Sequence, residues 1–301
     1  MSDDYAPSPW DNFTTVVADT LGIPCTSIDP SNNFQEMGGN SLNIVSAVLK
    51  LQESGFQVTV EQFMQAGSME KLFLSATATN GITTSGHHFS LKALKDVDAN
   101  EAQTLLAKSF LSKSELFAKC GDMEVADFLF AYVKWWEAFS AYSFAVVDEQ
   151  SKLRAVALAA DQIDLARIPP DAKTHSHFME VFRMLSTVTK ETRTKLNPTG
   201  VERAVLCKFM FGASLENTAE ENVTAFALIE KELMDTARKG GFSFTIAENI
   251  SPLTQQLSQY LGCRRYATIQ MNTWADPEGN RPFANCSDDY SLTVDVYEVV
   301  H

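Results

Sequence analysis

The sequence predicts an α+β protein in two parts, a small N-terminal four-helix domain followed by a larger mixed α/β domain. Three observations predict this. Apolar residues recur at helical spacing as far as residue 76. Residues 77–87 read TATNGITTSGH, a Thr-, Gly- and Ser-rich run of linker composition. Beyond it, period-two and period-3.6 patterns interleave to the C-terminus. The expected boundaries are 1–78 for the first domain, 79–88 for the linker and 89–301 for the second domain.

In the first part, Trp10, Phe13, Val16, Val17 and Leu21 lie on one helical face. A turn-rich stretch follows over 24–39. A second helix begins near Ser41 and aligns Ile44, Val45, Val48 and Leu51. Shorter helices are expected over 59–65 and 68–76, with Ser68 as the N-cap of the last. In the second part, 89–94 alternates as a strand, and 100–112 and 125–139 are expected helices. A hairpin joins strands 142–148 and 153–160 through the turn 149–152. Helix 177–195, strand 204–211 and a long helix over 222–239 come next. That helix stops at Gly240-Gly241, a strong C-terminal signal. Strand 242–248, helix 252–261 and strands 265–274 and 291–299 close the chain.

Composition excludes several functions. The 301 residues are 45% hydrophobic and 21% charged, ordinary for a globular protein. Their net charge of −14 disfavours phosphate backbones and anionic lipid surfaces, so neither nucleic acid nor membrane is an expected partner. No apolar run is long enough to span a bilayer, and the acidic start Met1-Ser2-Asp3-Asp4 lacks the order of a secretory signal. Five scattered cysteines, Cys25, Cys120, Cys207, Cys263 and Cys286, form no CxxC pair. They argue against structural zinc and disulfides and suit a cytoplasmic location. His175 and His177 lack a cysteine or carboxylate at ligand spacing, so no metal is expected.

The sharpest local motif is Gly38-Gly39-Asn40-Ser41-Leu42. Two glycines free the backbone for a tight turn, and a serine then opens an amphipathic helix. The N–H groups and partial positive charge of a helix start suit a phosphodiester on that serine. Plain helix capping by Ser41 is the competing explanation. With Phe34 upstream in NNFQEMGGNSL and four helices around it, the segment 21–76 resembles the peptidyl carrier domains of nonribosomal peptide synthetases. Asn33 departs from the aspartate common there. The resemblance implies a 4'-phosphopantetheine covalently attached to Ser41, a phosphopantetheinyl transferase that attaches it, and an upstream adenylation domain that loads it. That adenylation domain is not in this sequence, so the chain is expected to be a fragment.

Residues 88–300 resemble the GNAT acyltransferases, in particular the insect arylalkylamine N-acetyltransferases. The resemblance rests on SFLSKSEL at 109–116, ENISPLTQQLSQYLGCRRYATIQ at 248–270 and DPEGNRPFANCSDDYSLTVDVYEV at 276–299. One departure is informative. The turn with which that family cradles the diphosphate of coenzyme A is basic and glycine-rich. Here it reads FMFGASLENTAEEN over 209–222, with one glycine, no Lys or Arg, and Glu216, Glu220 and Glu221. Carboxylates beside a diphosphate are unfavourable, although they also suit a helix N-terminus. A thioester on a tethered arm needs no diphosphate site.

As a whole, the chain resembles the carrier and amine-selecting part of the insect β-alanyl-amine synthetases. The resemblance implies aminolysis of a carrier-bound β-alanyl thioester by a biogenic amine such as dopamine or histamine. Glu115 matches the family's acidic position and is the expected base. Phe209, Met210 and Phe211, on the strand over 206–211, are expected beside the pantetheine arm, with backbone donors there for the oxyanion. Ser251 matches a family serine that assists proton transfer or lines the amine site, and helix capping explains it equally well. Asp289, before the last strand, is a candidate for binding a substrate ammonium, against the plainer reading as a turn residue. Tyr132, Trp135, Trp136 and Phe139 are core candidates, one of which could serve an aromatic amine pocket. Cys207 is read as a small core residue.

Two other functions compete with this one. A CoA-dependent arylalkylamine N-acetyltransferase fused to a carrier would turn over acetyl-CoA without an arm. A non-catalytic GNAT-fold docking module would release no amide at all.

Overall fold

The computed structural model describes residues 8–77, 89–118, 123–128, 140–167, 176–201 and 203–300. The chain divides into two compact units, Met1–Gly86 and His87–His301. The linker 79–88 and the greater part of the expected helix 125–139 lie outside the described residues; within it, 125–128 are helical. Among the described residues, no helix is long and apolar enough to cross a membrane.

The first unit has four helices, α1 Pro9–Leu21, α2 Ser41–Glu53, α3 Val60–Gln65 and α4 Met69–Thr77. Local chemistry sets their ends. Ser8 and Asp11 form a reciprocal capping box ahead of α1, Pro9 takes the first helical position, and Gly22 closes the helix at φ 67°. Thr59 and Gln62 cap α3 in the same way. Ser68 caps α4, accepting from the Lys71 N–H at 3.3 Å. Phe56 and Phe73 each meet Phe13 edge to face in the core, as Phe34 meets Phe63 at 4.8 Å.

The second unit is built on a seven-stranded sheet of order β1-β2-β3-β4-β5-β7-β6. Its strands are β1 Ser90–Ala93, β2 Phe144–Val147, β3 Leu153–Asp161, β4 Val205–Ala213, β5 Phe244–Asn249, β6 Arg264–Gln270 and β7 Ser291–Glu298. Every pairing is antiparallel except β4 with β5, which a long helix, α9 Ala219–Gly240, connects. Helix α9 buries Ala225, Ile229, Leu233 and Ala237 on one face of the sheet. The opposite core gathers α5 Ala99–Lys113, α6 Glu115–Ala118 and α8 Ser176–Leu196 around Leu106, Phe117, Phe178 and Phe283. Helices α7 Gln162–Arg167 and α10 Pro252–Tyr260 complete the unit.

Among the described residues the expected elements are present, with ends that shift by a few residues. Helix α9 starts three residues before the expected 222, because Thr218 and Glu221 form a capping box there. Strand β6 ends at Gln270 rather than 274, where Met271–Thr273 turns as a 3₁₀ helix. The short helices α6 and α7 were not expected, and at four and six residues they carry too little periodicity to be read.

Candidate functional site

Two glycines lead into the helix that begins at Ser41. Gly38 lies at φ 92°, and Gly39 packs so closely that a Cβ would fall 2.1 Å from the buried Phe34 ring. Only glycine satisfies both demands. Asn40 and Asn43 bond reciprocally, each side-chain oxygen accepting the other's N–H at 3.0 Å. Asn40 is therefore the cap of α2, and Ser41 is its first helical residue. The glycine turn thus delivers Ser41 to the N-terminal end of a thirteen-residue helix, the position that suits a phosphodiester.

In the second unit, β4 and β5 pair only from Val205↔Phe244 to Lys208↔Ala247. Beyond Lys208, β4 continues to Ala213 against β3 alone, and β5 stays with β7. Phe209 is an extra residue at a bulge, since Leu158 faces Met210 and Ala159 faces Lys208. The two strands therefore part at Phe209. A cavity of about 540 Å³ reaches this fork, lined by Phe209, Met210 and Phe211 together with Phe110, Phe117 and Phe178. Its polar wall includes Lys113, Ser114, Ser251, Glu248 and Tyr290.

Two side-chain pairs tie α6 to the segment before β7. The Glu115 carboxylate accepts from the Ser287 N–H and from the Ser287 hydroxyl, both at 2.8 Å. Next to it, the Ser114 hydroxyl lies 2.9 Å from the Tyr290 hydroxyl. Burial pushes the Tyr290 phenol up to about 12, against hydrogen bonds from Ser114 and the Leu116 backbone that favour the ionised form. Ser114 and Leu116 line the cavity, and Glu115 between them is partly buried.

Deeper in the cavity wall stand two ion pairs. Arg193 donates to Glu248 at 2.6 Å, and Lys208 pairs with Glu230 while lying 4.3 Å above the Phe226 ring. Burial opposes the charge on Arg193, but the adjacent Glu248 carboxylate favours it, and the pKa is raised. Such pairs hold their charges only because each is matched, and removal of one partner is costly.

Four of the five N–H groups in the loop from β4 to α9, residues 214–218, are bonded within the chain. Ser214 donates to the Arg154 carbonyl at 2.8 Å, Glu216 to the Ser214 hydroxyl and Asn217 to the Ser214 carbonyl. Thr218 N–H donates to the Glu221 carboxylate at 2.7 Å, Glu221 N–H to the Thr218 hydroxyl, and Asn222 N–H to the Thr218 carbonyl. Glu221 is only 6% exposed. A carboxylate of the chain itself therefore sits at the helix N-terminus where a bound diphosphate would need donors.

The remaining candidates are dispersed. Ser251 lines the cavity and caps α10, accepting from the Thr254 N–H, so it holds both positions weighed for it. Asp289 is exposed and is not among the lining residues; Tyr290, one residue on, is the one that turns inward. His177 is a core residue whose Nε2 lies 2.7 Å from the Leu116 carbonyl, between the rings of Phe117 and Phe283. Among the described residues, no three His, Cys, Asp or Glu side chains cluster as a metal site. Cys207 is a small core residue whose thiol burial pushes up to about 12. His175, Tyr132, Trp135, Trp136 and Phe139 lie outside the described residues.

Fold and site together define a phosphopantetheine carrier domain joined to a domain of GNAT-like acyltransferase fold. Residues 11–72 match the family model for the phosphopantetheine attachment site, so the first unit is a domain for covalent phosphopantetheine attachment. Across both units the chain is homologous to Ebony. It is 26% identical over 287 residues to the β-alanyl-bioamine nonribosomal peptide synthetase ebony of Drosophila melanogaster, an alignment covering 91% of this chain. That relative is longer, and the chain spans about a third (32%) of its length. Among solved structures, the C-terminal condensation domain of Ebony in complex with β-alanyl-dopamine is 25% identical. It aligns with a TM-score of 0.62 over 70% of this chain and 98% of that one. The Drosophila melanogaster polyamine N-acetyltransferase, which forms N-acetylagmatine, shares the fold at 16% identity, with a TM-score of 0.53 over 70% of this chain and 99% of that one.

Proposed function

We propose that the chain condenses a β-alanyl group, carried as a phosphopantetheine thioester on Ser41, with a biogenic amine such as dopamine or histamine, releasing a β-alanyl amide. The observation that carries this reading is the loop from β4 to α9. Four of the five N–H groups over 214–218 are bonded within the chain, and the Glu221 carboxylate stands at the helix start against a diphosphate. A free CoA thioester would meet carboxylate there, whereas an arm that bears no nucleotide would not. The cavity beside this loop is lined by aromatic rings, which suit an arylalkylamine, and the Ebony relative was solved with β-alanyl-dopamine.

The phosphopantetheine supplies the acyl group as a thioester on a long flexible chain. Residues of the second unit do the rest. Glu115, held in orientation by Ser287, withdraws a proton from the incoming ammonium, directly or through water. The amine nitrogen then bonds to the acyl carbon as the carbon–sulfur bond breaks; of the two protons the nitrogen sheds between ammonium and amide, one passes to the departing sulfur and the other leaves through Glu115 to solvent. Backbone N–H groups of β4 at the Phe209–Phe211 fork stabilise the developing oxyanion, and Met210 packs against the arm. Ser251 positions the amine side of the cavity. The reading requires an upstream adenylation domain to activate β-alanine and a phosphopantetheinyl transferase to modify Ser41.

The test loads Ser41 enzymatically with β-alanyl-pantetheine and follows intact mass after adding dopamine, histamine or tyramine. Amine-dependent loss of the β-alanyl mass with matching amide is the expected result. A loaded mass that decays equally with and without amine would overturn it.

A further inference from the structure

The arm implied above has one permanent charge, the phosphodiester at its base, and a charged group near a partly apolar cavity needs a partner. Four cations line the cavity: Lys113, Arg183, Arg193 and Lys208. Arg193 and Lys208 are committed to Glu248 and Glu230, and Arg183 to Glu180 on its own helix. Lys113, the last residue of α5, differs from these. Its Nζ donates to the Ser214 carbonyl at 3.2 Å, a neutral acceptor, and among the described residues no carboxylate pairs with it. Glu216, two residues beyond Ser214, is taken by Lys152. Two further protons of the ammonium remain to be donated.

Position matches chemistry. Ser214 follows the last residue of β4, five residue steps from the Phe209 bulge. At the rise of a strand these steps cover about 16 Å. From phosphorus to sulfur, a phosphopantetheine arm has as many bonds as four to five peptide residues, about 15 Å when extended. An arm laid along the unpaired edge of β4, with its thioester at the fork, would bring its phosphate beside Lys113. Partial burial lowers the Lys113 pKa, and an adjacent anion would offset that desolvation.

We infer that Lys113 is the phosphate anchor of the condensing unit, a positioning residue that binds the arm's phosphodiester and so sets the depth to which the thioester enters. This rests on the donor being phosphopantetheine-borne, and it assigns to one side chain of α5 the role the β4–α9 loop has given up.

Binding of two unreactive thiols, pantetheine 4'-phosphate and pantetheine, to the Ser41→Ala chain tests this by calorimetry, with no arm of its own competing. An exposed ion pair contributes up to about 1 kcal/mol, so the phosphorylated thiol is expected to bind about fivefold tighter at low salt. The preference should shrink as ionic strength rises. Lys113→Ala should abolish it and Lys113→Arg should retain it. In amide formation from the β-alanyl thioesters of the same thiols, Lys113→Ala should raise KM about fivefold for the phosphorylated donor only, with kcat unchanged. Equal binding of the two thiols, no binding of either, or a preference that survives Lys113→Ala would overturn the assignment. A preserved preference for phosphate without amide from any amine would instead overturn the proposed reaction and leave Lys113 standing.

Discussion

Asp289 and Tyr290 are neighbours in the chain with opposite surroundings. The first is exposed; the second is buried and bonded to Ser114. Asp289 lies in a turn that the Tyr290 N–H closes on the Ser287 carbonyl at 3.0 Å, so the chain passes from solvent to cavity within one residue. Residue type drew attention to the aspartate, but burial decides which of the two can act. Tyr290 titrates late as a result. Its phenol ionises at about 12, while an unfolded tyrosine does so near 10. Between those values the unfolded chain releases a proton that the native chain keeps, so this contribution to stability is full below pH 10 and is lost as pH rises through the window. Ultraviolet titration of tyrosinate should show a late transition that Tyr290→Phe removes. At Glu115, replacement by Gln should lower single-turnover amide release by about 10² to 10⁴-fold. The fold should survive, because an amide oxygen can still accept from Ser287.

At the scale of elements, the fork between β4 and β5 and the capped start of α9 decide what the site can hold. Helix α5 approaches β4 so closely that a Cβ on Gly212 would lie 2.9 Å from Leu106 and 3.1 Å from Ser109, whose hydroxyl accepts the Ala213 N–H. Gly212→Ala should therefore cost about 1 to 3 kcal/mol, read as a lowered denaturant midpoint. The capping box on α9 is a second measurable element. Thr218→Ala should destabilise the chain by about 1 kcal/mol without creating turnover of acetyl-CoA, since Glu221 stays at the helix start. The glycines, the caps and the long amphipathic helices were legible beforehand because they act over three or four residues. The bulge at Phe209 was not, because it exists only in the pairing of β4 with β3.

For the whole molecule, each unit has its own core. Phe34 is 2% exposed and closes the carrier turn against Gly39 and Phe63. Phe34→Ala should cost about 3 to 5 kcal/mol and appear as a weakened first unit in calorimetry, with the transition of the second unit unmoved. The organisation into a carrier and an acyltransferase-like unit was legible because a composition break separates two different hydrophobic patterns. Within the second unit, the acidic turn at 212–222 already spoke against a diphosphate. The structure adds the reason, a buried Glu221 bonded to the Thr218 N–H.

Sequence by itself determined the attachment motif, the order of the strands and of the longer described helices, and the loss of the basic glycine-rich turn. These are properties of contiguous residues, where spacing and charge act locally. Tertiary structure alone decided that Ser287 holds Glu115, that Tyr290 faces Ser114, and that Lys113 comes to rest on Ser214. Those partners are separated by between 101 and 176 positions along the chain. Only the closing of the sheet and the packing of α5 on it bring them within hydrogen-bonding distance.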